Sequence, residues 1–62
     1  MDTLQPGDLY IFTSHAGAVS EPLILIEPID EFSWRMWDVN AGAVAWDYTS
    51  SILTSPCYVR AG

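Results

Sequence analysis

The stretch from Phe32 to Thr49, FSWRMWDV-NAG-AVAWDYT, constrains this chain most: it holds all three tryptophans, and both runs flanking Asn40-Ala41-Gly42 are apolar at odd and even positions alike. A three-residue connection makes the two runs a β-hairpin, with Asn40 and Ala41 in a type I turn and Gly42 in the left-handed conformation that a Cβ resists. Val39 then pairs with Ala43. Side chains alternate along a strand. Trp37 therefore faces Ala45 and Arg35 faces Asp47 on one side, while Asp38 faces Val44, Met36 faces Trp46 and Trp34 faces Tyr48 on the other. Both sides carry large apolar groups. A surface Arg35–Asp47 pair, worth about 0.2–1 kcal/mol, is too weak to choose the inward face. A hairpin in a small domain buries one face in its own core. Either the second face meets a partner, or strong curling of a small barrel covers parts of both.

The chain has 62 residues. That is one domain, 1–62, and a domain of this size buries only about 60% of the surface its unfolded chain exposes. Half of the residues are nonetheless hydrophobic, only 16% are charged, and Arg35 and Arg60 are the only Lys or Arg side chains. A lone small domain normally covers its outside with charge, so this composition calls for oligomerisation or docking. The formal net charge of −6 argues against a nucleic-acid partner, because phosphate contacts need Lys and Arg, and against an anionic membrane surface. It fits docking on a basic patch of another protein. A polynucleotide mimic would need a dense carboxylate row, whereas here the carboxylates are scattered among apolar residues.

Cys57 is the only cysteine, so no internal disulfide points to an oxidising compartment. MDTLQPGD has no basic start and no apolar run, and the longest apolar stretch, Pro22 to Ile26, is too short to span a bilayer. The expectation is a cytoplasmic product, or one assembled into a particle in the cytoplasm.

Pro6-Gly7 is a turn signal, and Asp8 to Thr13 (DLYIFT) reads as a first strand that splits Leu9 and Ile11 from Tyr10 and Phe12. Ser14 to Ser20 is a small polar loop around Gly17, the expected variable surface. Pro22 to Pro28 (PLILIEP) is a second strand, central because it is so apolar. Its prolines should stop it at each end, since neither donates a ladder hydrogen bond. Thr49 to Leu53 (TSSIL) reads as a single helical turn capped by Thr and Ser, with Ile52 and Leu53 dropping into the core. Cys57 to Arg60 (CYVR) is a last short strand. There are no internal repeats, low-complexity tracts or linkers.

That order resembles the Src-homology-3 (SH3)-like small barrel, an all-β fold of about five short strands with one helical turn before the last. The wording PGDLY, then PLILIE, an aromatic-rich third strand, a Gly hairpin leading into AVAWDY, and TSSIL resembles the small barrel proteins of tailed bacteriophages over about Leu4 to Arg60. The chain departs from their usual pattern in its scarcity of lysine and its lack of an Asp-Gly or Asn-Gly hairpin. The resemblance implies binding without catalysis. It points to a multi-copy structural or accessory protein of a phage particle (capsid decoration or cement, neck or tail), located in the virion, or instead to a free acidic regulator that binds and inhibits a host enzyme.

The titratable residues offer no catalytic pattern. His15, the only histidine, has no Cys-x-x-Cys or His-Glu-x-x-His spacing around it. A Cys57–His15 dyad lacks an orienting third group, and Cys57 reads as a small core residue beside Val59. Glu27, Asp30 and Glu31 lack the spacing and glycine of a calcium loop, and Asp38 and Asp47 fall on opposite faces in the register above. The chain is expected to be no enzyme and to take no metal, cofactor or small-molecule substrate. Proline-rich peptide recognition would call for an acidic first loop, and Ser14 to Ser20 has no carboxylate. The aromatics remain. Tyr10, Phe12, Trp34, Trp37, Trp46 and Tyr48 are the candidate partner-binding residues, because Trp and Tyr dominate interface hot spots; each could equally fill the barrel. The expected partner is a larger phage or host protein, or a sister copy.

Overall fold

The structure is a computed structural model and describes residues 4–14 and 20–61. The elements follow in the order β1 (Leu9–Thr13), β2 (Ser20–Pro28), β3 (Ser33–Asp38), β4 (Ala43–Tyr48), α1 (Thr49–Thr54) and β5 (Tyr58–Arg60). The strands form one antiparallel sheet in the order β4-β3-β2-β1-β5. This is the all-β class and element order expected, but the sheet is not closed as a barrel: β4 and β5 stay at opposite edges. Side chains span the gap instead. The Tyr58 hydroxyl donates to Asp47 Oδ2 at 2.5 Å, and α1 packs against both edge strands. The loop expected at Ser14–Ser20 lies largely outside the described residues, His15 included.

β2 is central, as its apolar run requires, but it does not stop at Pro22; it runs back to Ser20. The Pro22 carbonyl accepts the Val39 N–H at 3.1 Å, so its peptide edge faces the β3 side, beyond the last ladder pair, Leu23 with Asp38. The missing N–H therefore costs the β1–β2 ladder nothing. Pro28 does end the strand.

The hairpin is one residue out of the predicted register. Asp38, not Val39, pairs with Ala43, and the loop is the four residues from Val39 to Gly42. Asp38 is the cause. Its carbonyl accepts the Gly42 N–H at 2.8 Å, its Oδ1 accepts the Ala41 N–H at 3.1 Å, and Val39 is drawn to Pro22. Gly42 keeps the left-handed φ expected of it, at 64°. With a side-chain period of two, the slip turns β4 over relative to β3. Trp34, Met36 and Asp38 face inward opposite Asp47, Ala45 and Ala43; Ser33, Arg35 and Trp37 lie opposite Tyr48, Trp46 and Val44.

The core consists of Tyr10, Leu23, Leu25, Trp34, Met36 and Ile52, with Leu4, Phe12 and Tyr58 packed against it. All of the buried set but Ile52 are inward positions of β1, β2 and β3. The expected Ser or Thr cap of α1 is absent: the N-cap is Tyr48, and it makes no side-chain cap bond. Packing holds the helix instead. Ile52 is 2% exposed, but Leu53 is 44% exposed and does not join it in the core, because successive helical residues point about 100° apart.

Candidate interaction surface

Alternation along the strands builds the outer face of the sheet row by row. One row runs from Leu9 of β1 through Ile24 of β2 and Trp37 of β3 to Val44 of β4. A second runs from Val59 of β5 through Ile11 to Pro22, and Val39 extends it through its bond to the Pro22 carbonyl. Between Leu25 and Glu27 the β2–β3 register shifts. This β-bulge adds Ile26 and leaves Glu27 opposite Arg35, with Trp46 next in that row. Trp37 is 40% exposed, Trp46 57%, Tyr48 53% and Val44 58%. Trp46 and Tyr48 meet edge to face, with ring centroids 5.2 Å apart and planes at 86°, a favourable geometry that fixes both rings.

The face is close to neutral in an acidic chain. Glu27 is the one carboxylate on its rows, and it is ion-paired with Arg35. Asp38 and Asp47 lie on the inward alternation, as does Glu21 opposite Phe12. Asp8 bridges to Arg60 at 3.5 Å. Asp30 and Glu31 sit in the β2–β3 turn, where Asp30 Oδ1 accepts the Phe32 N–H at 2.8 Å and the Ser33 hydroxyl at 2.9 Å. The Phe32 N–H, and then the Ser33 hydroxyl, hold the Asp30 carboxyl below its usual range. On the inner side, burial pushes the Tyr58 phenol well above its ordinary value, and its bond to Asp47 pushes in the same direction.

Of the six aromatics singled out for a partner, the structure brings Trp37, Trp46 and Tyr48 together on this face. Tyr10 and Trp34 are core residues, 7% and 8% exposed. Phe12 packs inward against Tyr58 with ring centroids 5.0 Å apart. For these three the outward reading is corrected: in β1 the Tyr10/Phe12 side is the one that covers the core. Trp34 and Tyr48, opposite one another in the predicted register, are on different faces. Asp38 and Asp47, expected to be separated, share the inner one. Arg35 pairs with Glu27 rather than with Asp47, and Cys57 is half-buried while Val59 is exposed.

Sequence reasoning missed Ile24, Ile26, Val44 and Val59 as surface. The common face of Ile24 and Ile26 was legible in the alternation of PLILIE, but nothing local said that it was the outer one. A smaller apolar group borders the sheet face at Tyr48: Phe32, 68% exposed, lines a shallow hollow with Glu31, Tyr48, Thr49, Ser50 and Leu53. Among the described residues, no group of three or more His, Cys, Asp or Glu side chains could hold a metal ion, and no helix is long and apolar enough to cross a membrane. No family model, curated protein or solved structure matches the chain.

Proposed function

We propose that this chain is a protein–protein interaction module that acts by contact rather than catalysis, serving as a multi-copy structural or accessory component of a phage particle. The particle role follows the resemblance of its sequence to small SH3-like phage barrels. One observation carries the contact role: Trp37, Trp46 and Tyr48 stand exposed beside Val44 on a near-neutral sheet face. Large exposed apolar patches mark interaction sites, and Trp and Tyr carry a disproportionate share of binding energy. Burying the exposed half of one Trp is worth roughly 2–3 kcal/mol before association costs, and multiple copies add avidity. The test is to purify intact particles and count the chain in them. Many copies per particle are expected; a chain absent from particles rejects the particle role.

A second reading, a free acidic regulator of a host enzyme, is favoured by a different observation. Asp30 and Glu31 lie in an exposed turn beside Phe32, while Arg35 and Arg60 already sit against carboxylates. Such a site would dock on a basic surface and lose affinity steeply as salt rises, whereas apolar docking through the sheet face persists or strengthens.

A further inference from the structure

We propose that the outer sheet face is the interface between two copies of this chain, packed sheet against sheet about a two-fold axis. This rests on the contact reading above and names its partner. Charge points to a second copy. A chain of net charge −6 repels itself wherever its carboxylates gather, and among the described carboxylates only Glu27 stands on the strand rows of this face. Its one carboxylate, Glu27, is held by Arg35 on the adjacent strand. Asp38 and Asp47 point to the inner side, and Asp30 and Glu31, in the β2–β3 turn, only border the face, where they line hollows with Trp46 and Tyr48. A basic partner would find its counter-charge elsewhere on the molecule. A neutral apolar partner fits here, and a sister copy presents one.

Area and symmetry agree with this choice. Trp37, Trp46 and Tyr48, 40–57% exposed, offer roughly 300 Å² between them. Ile24, Val44 and Val59, 36–59% exposed, and their flanks add an area of the same order. The sum, roughly 600 Å² per partner, reaches the lower end of the range for specific interfaces. A two-fold contact must be complementary to itself, a condition that a face without net charge meets. Two sheets pack about 10 Å apart with interdigitated side chains, and Trp37 lies in the row that crosses β1 to β4, well inside such a contact.

Sedimentation of the full chain across a wide concentration range tests this. The expected species has twice the 6.9 kDa chain mass, and it tightens with added salt as the residual repulsion is screened. Trp37→Glu should weaken the dimer by on the order of 30-fold or more while far-UV circular dichroism keeps the wild-type strand signal. Val44→Glu, at a more exposed position of the same row, should do the same if Trp37→Glu fails to fold. Thr54→Glu, at an exposed position of α1 away from the face, should leave the dimer intact. A wild-type chain that is monomeric at every concentration overturns the proposal, as does a dimer that Thr54→Glu dissociates and Val44→Glu does not. Failure here is separable from failure of the contact reading: a monomeric chain whose capture by purified particles is abolished by Val44→Glu is still a contact module, with a different partner. A dimer missing from particles keeps this interface and removes the particle role.

Discussion

Trp34 and Trp37 stand on one strand and do opposite things. Trp34 is buried among Leu25, Met36 and Ile52, whereas Trp37 is 40% exposed in the middle of the outer face. Trp34→Ala should cost about 3–5 kcal/mol by leaving a cavity, and Trp37→Ala only about 1 kcal/mol in the isolated monomer. Urea unfolding at low protein concentration measures both, and equal losses would mean that the two rings share one buried surface. Tyr58 supplies a pH signature. Its phenol is raised by burial and by Asp47, so the folded chain holds a proton that the unfolded chain releases near pH ~10. The stability it contributes is complete below that pH and is lost as pH rises through the folded value. Alkaline unfolding monitored by near-ultraviolet circular dichroism should therefore fall with a shallower slope in Tyr58→Phe than in the wild type. An unchanged slope would detach Tyr58 from the alkaline transition.

Among the elements, the β3–β4 hairpin carries the surface, and its loop sets which residues form it. Gly42 sits at φ 64° with no atom within 4 Å of where a Cβ would stand, so Gly42→Ala meets backbone strain and no clash. The expected loss is about 1–2 kcal/mol, read as a lower denaturation midpoint at unchanged slope. A neutral Gly42→Ala would show that the loop can take another conformation. The Asp38 carboxylate and the Val39–Pro22 bond impose the four-residue loop, and with it the turn-over of β4 that brings Val44, Trp46 and Tyr48 outside. The six residues of α1, by contrast, have no side-chain cap at their N-terminus and depend on Ile52 in the core.

The whole molecule is a curled sheet with two free edges. β1, β2 and β3 are paired on both sides, while β4 and β5 each have one ladder neighbour and meet through a side-chain bond and α1. Local opening should begin where ladders end. Native-state hydrogen exchange is therefore expected to be slowest in β1, β2 and β3 and faster in β4 and β5. Equal protection in the edge strands would require a backbone closure that this topology lacks. The surface has a separate cause: α1 places Ile52 in the core on the inner side, and no element among the described residues packs over the outer rows.

Element order, the central place of β2, the Gly42 conformation and the pairing of β3 with β4 were all legible in the sequence, because each rests on local chemistry: proline without a donor, glycine without a Cβ, and an apolar run bounded by turns. Of the six aromatics singled out for a partner, Trp37, Trp46 and Tyr48 are exposed, and composition alone did not separate them from Tyr10, Phe12 and Trp34. The register was not legible either. When both faces of a hairpin are apolar, a one-residue slip leaves the hydrophobic pattern as acceptable as before, so periodicity cannot choose between Trp34 inside with Trp46 and Trp34 inside with Asp47. Two contacts distant in sequence and one local one chose. The Pro22 carbonyl held Val39, the Asp38 carboxylate closed the loop, and Ile52 of α1 completed the core around Trp34 and Met36. Only the folded neighbourhood decides which apolar face is buried, because burial is a property of what lies opposite a side chain and not of the side chain itself.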